Sequence, residues 1–206
     1  MWMLLVSVAG AEPCEVLIDA EAWRWQLQRA AEQLSGRNIA GGQATLNSAK
    51  NRATCLATRA DPADLALLAR LEAVSAFFKQ ELDQVDDWSK LAAITAPMSE
   101  YPGWLNAQHP VRSYLDRPPP GWSGWPEQSV AAPKKGGVFL NGVWLDRPLF
   151  PTSTPCLIQI LNKSGERVDA WWQHGAAAPP GQLEPIDEVA ERPRFYEGPA
   201  ISERAG

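Results

Sequence analysis

The chain has 206 residues, of which 45% are hydrophobic and 21% charged, so it is long enough to bury a core and is expected to form one domain plus a smaller module. Its net charge is −5, and Lys134 and Lys135 form an isolated basic pair, whereas a phosphate-binding surface needs clusters of Lys and Arg. Composition therefore argues against nucleic acid as a partner and against electrostatic attachment to membranes.

The N-terminal segment is predicted to be an export signal. Residues 1–11 are apolar and end in Ala9-Gly10-Ala11, a small-x-small pattern typical of signal-peptidase sites, although no Lys or Arg precedes the apolar residues. A buried first strand is the alternative. No later segment approaches the roughly 20 apolar residues of a membrane-spanning helix, so we expect a periplasmic or secreted chain with no integral membrane segment after cleavage.

Residues 12–116 are predicted to form an all-helical domain. Asp19 stands at the N-cap position of a first helix, because apolar residues follow it at helical spacing until Gly36. Asp61 followed by Pro62 predicts the start of a third helix, since a capping carboxylate and a proline with fixed φ both suit that position. The predicted apolar stripes of the first three helices are Trp23, Leu27, Ala30, Ala31 and Leu34; Leu46, Ala49, Ala53 and Leu56; and Leu67, Leu71, Val74 and Phe78, the last widened by Leu68 and Phe77.

Two further helices complete this domain. The second follows a connection that contains either Asn38 or the pair Gly41 and Gly42. The fourth is predicted at residues 85–96, where Pro97 ends it. Four helices with short connections predict two antiparallel hairpins, which are tetratricopeptide-like in a loose sense; a plain four-helix domain is the alternative.

The predicted export allows the three cysteines to form disulfides, because an oxidising compartment permits these bonds. If the first two helices are antiparallel, the segment before the first lies beside the end of the second, which places Cys14 next to Cys55. We predict this disulfide, which stabilises the fold by roughly 3 to 4 kcal/mol in the chain-entropy model. Cys156 lies in an apolar strand, as a buried inert thiol or as a thiol that pairs with a partner. The cysteine spacings do not form a zinc pattern, and no metal or cofactor is predicted.

Residues 117–135 are predicted to be a Pro/Trp-rich linker, because their composition is hostile to regular structure. Trp122 and Trp125 either fasten the linker to the domain surface or provide a stacking platform for a sugar or a proline-rich peptide. Together with Trp104 and Trp171 they are the candidate binding residues of the chain.

Residues 136–175 are predicted to form a small β-sandwich-like module of four short strands. The first two flank Asn141-Gly142, the dipeptide most favourable for a two-residue type I′ hairpin, because both positions need φ > 0. The second pair is predicted at residues 157–161 and 167–172, and alternation puts Trp171 and the following tryptophan on opposite sides of the sheet.

The predicted fold class is therefore α+β, with N-terminal antiparallel helical hairpins followed by a small antiparallel β module. Residues 176–206 are rich in Pro, Glu and Ala, and we expect them to form an extended or disordered tail.

Short motifs follow one another along residues 14–175: Cys-Leu at 55–56, Asp-Pro-Ala-Asp at 61–64, His-Pro-x-Arg at 109–112, Gly-Val-Phe-Leu-Asn-Gly at 137–142 and Pro-Cys-Leu-Ile-Gln-Ile-Leu at 155–161. This arrangement resembles envelope proteins of the myxobacterial type that combine a tetratricopeptide-like helical domain with a PEGA-like β module. The resemblance implies such helices and an envelope location, and it supplies no catalytic residues. Residues 152–155 match only part of the Gly-x-Thr-Pro usual before the second hairpin of a PEGA module.

Signals for catalysis are weak. His109 precedes a proline and His174 a glycine, positions more typical of turns and strand ends than of a general base. Asp83 and Asp87, one helical turn apart, are the carboxylate pair of interest. The sequence contains no Gly-x-Ser-x-Gly, phosphate loop, dinucleotide fingerprint or His-Glu-x-x-His. We therefore predict that the protein is not an enzyme.

Two functions from different classes remain. The first is a non-catalytic exported scaffold of the cell envelope, which receives a protein partner on a concave face between helix pairs or at the open edge of the sheet. It predicts an exposed apolar groove lined by more than one helix. The alternative is a carbohydrate- or cell-wall-binding protein, which predicts coplanar, solvent-facing tryptophans. We favour the scaffold, because helical hairpins explain more of the sequence than scattered tryptophans do.

Overall fold

A computed structural model gives the structure of the protein and describes residues 14–117, 127–129, 136–146, 149–151, 154–174 and 193–198. In these residues five helices come first along the chain and two antiparallel sheets follow, so the predicted α+β layout is confirmed. The signal peptide predicted at residues 1–11 and most of the predicted linker lie outside the described residues.

The helices α1 to α5 have the bounds Ala20–Ser35, Ile39–Ala53, Pro62–Phe78, Leu82–Thr95 and Arg112–Leu115. The caps predicted for α1 and α3 are confirmed. Asp19 accepts a hydrogen bond from the backbone N–H of Ala22, and Asp61 accepts one from Ala63. Both carboxylates thus satisfy amides that the first helical turn leaves without partners.

Of the two connections predicted before the second helix, the one at Asn38 is correct. Asn38 is the N-cap of α2, so Gly41 and Gly42 lie inside the helix. Gly42 allows α1 to come close, because a Cβ at this position would lie 2.8 Å from side-chain atoms of Leu34. The fourth helix starts at Leu82 rather than at residue 85.

The central element of the helical half is α3, which contacts α1, α2 and α4. Its buried residues lie all around the helix and not along one stripe, and the predicted stripe residue Phe78 is exposed. On one side α3 contributes Ala69 and Ala73 to a cluster that also contains Leu105, Val111 and Leu115. The segment that contains Leu105, Val111 and Leu115 therefore covers this side of α3.

The strands β1 to β6 have the bounds Glu127–Ser129, Gly136–Leu140, Val143–Trp144, Leu149–Pro151, Cys156–Asn162 and Arg167–Gln173. The larger sheet has the order β3-β2-β5-β6, and β1 pairs with β4 in a second sheet. Asn141 and Gly142 have φ values of 51° and 76°, which confirms the predicted turn between β2 and β3. Part of the predicted linker is a strand, because β1 lies within residues 117–135.

One part of the predicted tail packs against the sheet. The ring of Tyr196 meets Phe139 edge-on with centroids 5.3 Å apart, and Phe195 stacks on Phe139 at 5.9 Å. Tyr196 is buried, so residues 193–198 are not extended or disordered as predicted for residues 176–206. The two aromatic residues lie in a Pro-rich segment without the spacing of apolar residues that marks a helix or a strand. The sequence therefore does not indicate that they are buried.

Residues 55–60, which we name the junction segment, follow α2. The N–H of Ile18 donates to the carbonyl of Cys55, and Ala57 donates to the carbonyl of Ile18, so the segment before α1 lies beside the junction segment. Leu56, predicted on the face of α2, lies beyond the end of that helix and bridges to Ile18.

The junction segment also holds the β module. The buried amide of Gln159 accepts a hydrogen bond of 2.9 Å from Ala60 N–H and donates one of 3.1 Å to the carbonyl of Thr58. Arg59 donates to the carbonyl of Gly142 at 2.7 Å, and a Cβ on Gly142 would lie 2.2 Å from the carbonyl oxygen of Ala60. The helical half and the sheet are thus joined by one buried and two partly buried hydrogen bonds.

Candidate functional site

The structure describes two of the four tryptophans predicted as binding residues; Trp122 and Trp125 lie outside the described residues. Trp171 is 4% exposed and belongs to the core of the sheet, so its prediction as an accessible binding ring is wrong. Trp104 is half-buried between the helical clusters, and its ring meets that of His109 edge-on at 6.1 Å. Of the two rings, that of Trp171 is therefore inaccessible and that of Trp104 is partly covered.

The neighbouring Trp172 lies at the contact between β6 and the helices. Its indole N–H donates to the carbonyl of Lys50 at 2.9 Å, and its ring meets Trp88 at 5.9 Å with an interplanar angle of 76°. The ammonium group of Lys50 lies 2.9 Å from the Glu72 carboxylate and 5.5 Å from the centre of the Trp88 ring. These side chains bind one another, so the cluster fastens β6 to the helical half.

The carboxylate pair predicted from the sequence lies in α4, where Asp83 is in the first turn. A carboxylate oxygen of Asp87 lies 3.5 Å from Nε2 of His174. Burial raises the pKa of the Asp87 carboxyl, and the neighbouring imidazole opposes this shift. Among the described residues, no group of three His, Cys, Asp or Glu side chains is placed to hold a metal ion.

His109 closes the turn before α5. Its Nδ1 accepts a hydrogen bond of 3.3 Å from the N–H of Val111, and its ring meets those of Phe77 and Phe78 edge-on at 6.4 Å. Burial lowers the pKa of this histidine, which keeps the imidazole neutral at physiological pH. These contacts give His109 a role in the turn.

The predicted disulfide between Cys14 and Cys55 is present. Disulfides are typical of proteins that fold in oxidising compartments outside the cytoplasm. Cys156 is buried, which confirms that part of its prediction, and burial raises the pKa of its thiol to about 12.

An exposed tryptophan on α1 was not among the predicted site residues. Trp25 is 58% exposed, whereas Trp23 is fully buried in the helical core. Two positions along an α-helix differ by about 200°, so Trp25 points away from the core that Trp23 enters. Helical periodicity was therefore the sequence signal for this residue.

The exposed residues Glu21, Ala22, Trp25, Gln28 and Arg29 form one surface of the first helix. We call this surface the outer face of α1. The guanidinium carbon of Arg29, one turn after Trp25, lies 5.5 Å from the centre of the indole ring. This distance is within the range of cation–π attraction. The outer face of α1 thus carries a tryptophan and an arginine in contact at the surface.

The inner and lateral sides of α1 are fixed by other contacts. The indole N–H of Trp23 donates to the carbonyl of Ala49 in α2 at 2.8 Å. Arg24 binds the buried carboxylate of Asp64 in α3 through hydrogen bonds of 2.9 and 3.0 Å, and it also lies 3.5 Å from Asp61. Trp25 is consequently presented by a helix that is anchored to both of its neighbours.

The described helices all lack the combination of length and apolar character that crossing a membrane requires. Comparison of the chain with protein-family models, with curated proteins and with solved structures gave no match. The functional argument therefore rests on the contacts and exposure of the described residues.

Proposed function

We propose that this chain is a non-catalytic, protein-binding scaffold of the cell envelope and that it binds its partner through the outer face of α1. The observation that carries the proposal is the 58% exposure of Trp25 on an anchored helix, with Arg29 against its ring. Tryptophan and arginine are the residue types most enriched among the residues that dominate protein–protein binding energy. An indole also has few rotatable bonds, so burying it in an interface costs little side-chain entropy.

The other aromatic and titratable residues favour a protein partner over a sugar or a reaction. Trp88 and Trp172 meet at a steep angle and are bound to Lys50, so they do not form a coplanar platform. His109 and His174 contact a turn amide and an aspartate, respectively. Neither histidine has a Ser, Thr or Cys side chain among its described contacts.

A periplasmic or secreted location belongs to the same proposal. The Cys14–Cys55 disulfide and the apolar residues 1–11 support it. The helix-then-sheet order also agrees with the envelope proteins that the motifs resemble, with tetratricopeptide-like helices and a PEGA-like module.

The test is a cross-linking pull-down from envelope extract with the wild type and with Trp25→Ala. Leu82→Ala is the matched control, because it removes an apolar side chain that is 50% exposed at the start of α4. We expect the wild type and the control to capture a protein that survives glycan-degrading treatment, and Trp25→Ala to reduce capture by about tenfold or more. Equal capture by Trp25→Ala, or loss of all capture after glycan degradation, would overturn the proposal.

A further inference from the structure

We infer that the partner which fits the outer face of α1 is a second copy of this chain, bound with its α1 antiparallel about a two-fold axis at Trp25. The inference rests on the proposed function, because it names the partner of the same surface. The observation that supports the inference is the order of charged and apolar side chains along one row on the surface of α1.

Glu21, Trp25 and Arg29 are spaced by four residues and form one ridge along α1. On a helix of 3.6 residues per turn, Glu21 and Arg29 lie about 40° to either side of Trp25. All three side chains are exposed. The ridge therefore presents a negative group, a large apolar ring and a positive group in order.

This order is self-complementary when it is reversed. In an antiparallel pair centred on Trp25, Glu21 of each copy faces Arg29 of the other, and the two indole rings meet at the axis. A parallel pair would instead place like charges opposite each other, which is unfavourable. A two-fold axis brings the same patch of both subunits together, as is usual for homodimers.

The two charged residues are available for such contacts. Within the described residues neither Glu21 nor Arg29 forms a salt bridge, whereas the nearby Arg24 is bound by Asp61 and Asp64. One helix face per subunit is smaller than a standard interface of about 1,600 Å². We therefore expect a dimer of micromolar affinity that weakens as salt is added.

Charge exchange provides the test. Glu21→Arg makes both ends of the ridge positive, and Arg29→Glu makes both ends negative. In sedimentation equilibrium we expect each single variant to raise the dimer dissociation constant by about tenfold or more. An equimolar mixture of the two variants is expected to recover the dimer, because every facing pair is then of opposite charge. The double variant is expected to recover self-association for the same reason.

The controls make the same charge changes elsewhere. Glu81→Arg makes the same charge change at the N-cap of α4, and Lys163→Glu repeats the reversal in the exposed turn between β5 and β6. Both controls are expected to dimerise like the wild type. A wild type that stays monomeric, or a variant mixture that does not associate, overturns the inference. If Trp25→Ala still lowers capture from envelope extract in that case, the proposed function stands and only the identity of the partner is wrong.

Discussion

Tyr101 shows how one side chain fixes the segment that covers α3. Its ring lies between two guanidinium groups, with the carbon of Arg70 at 4.2 Å and that of Arg112 at 3.7 Å from the ring centre. Its hydroxyl lies 3.0 Å from a carboxylate oxygen of Asp116 and 3.2 Å from the carbonyl of Leu115. The protonated phenol is thus the form that these acceptors require.

Replacement of Tyr101 by Phe is predicted to destabilise the protein in a pH-dependent way. Burial, together with the hydrogen bond and charge of Asp116, raises the pKa of Tyr101 above its ordinary value of 10.0. A raised folded-state pKa contributes stability that is present below pH 10 and is lost as pH rises through the folded-state value. Tyr101→Phe should therefore lower the unfolding free energy by about 1 kcal/mol at neutral pH.

Urea unfolding of wild type and variant between about pH 7 and about pH 11 measures this difference. The gap should narrow at the alkaline end. Tyr114→Phe is the control, because its ring also contacts an arginine, Arg117, at 4.5 Å. A gap that stays constant over this pH range would contradict the assignment of the effect to the Tyr101 hydroxyl.

At the scale of single elements, helix ends are predictable where a side chain caps them. Asp19 and Asp61 make the cap hydrogen bonds that their positions predict. The predicted start of α4 is wrong because its N-cap Glu81 makes no side-chain hydrogen bond to the helix, so the sequence carries no capping signal there. A helix end can therefore be predicted from the sequence when a capping side chain is present at that end.

Buried faces are predictable only when one neighbour covers them. The stripe of α1 is confirmed, and the same period places Trp25 outside. For α3 the stripe is too narrow, because α1, α2, α4 and the segment around Leu105 surround it. The helical spacing of apolar residues identifies the side of a helix that is buried first. It does not show how many segments from distant parts of the chain also pack against that helix.

The disulfide is the covalent link between the segment before α1 and the end of α2. Its cysteines are 41 residues apart. Replacing both Cys14 and Cys55 by Ser should lower the unfolding free energy by about 3 to 4 kcal/mol in the chain-entropy model, because the unfolded chain regains the freedom that the closed loop removes. Thermal unfolding with and without reductant measures the effect.

Reductant should lower the Tm of the wild type to that of the double variant and leave the double variant unchanged. The double variant is therefore its own control for other actions of the reductant, including any on the buried Cys156. A wild-type Tm that does not respond to complete reduction would show that the link does not stabilise the fold.

At the scale of the whole molecule, the sequence reveals the two halves but not how they join. The helices and the Asn141-Gly142 hairpin follow from local patterns and are confirmed. The hydrogen bond that joins Gln159 to Ala60 spans 99 residues, and no local sequence pattern near either residue predicts this contact. For the same reason the sequence does not reveal that Trp171 is buried or that Tyr196, in the predicted tail, packs against Phe139.

Substitution of Gly142 by Ala tests the junction. Gly142 has φ +76°, and a new Cβ would lie 2.2 Å from the carbonyl oxygen of Ala60. The left-handed conformation alone costs an alanine about 1 to 2 kcal/mol, and the clash forces the hairpin tip away from the junction segment. We expect a loss of about 2 kcal/mol or more in urea unfolding, in a transition shared by far-UV and near-UV circular dichroism.

Gly103→Ala is the matched control, because no atom would lie within 4 Å of its new Cβ. Its unfolding free energy should stay within about 0.5 kcal/mol of the wild type. Equal stability of the two variants would mean that the hairpin tip does not bear on the junction segment in solution.

The contacts of the junction segment also influence the order in which the parts of the protein fold. Its contacts with Gly142 and Gln159 close loops of 83 and 99 residues, whereas each helical hairpin forms from neighbours in sequence. Loop closure costs entropy before the contact is gained, so contacts of high sequence separation form late. We expect the helices to fold and the Cys14–Cys55 disulfide to close before the sheet docks. A molecule that is packed as one unit in space is thereby assembled in two steps, in the order in which its chain is synthesised.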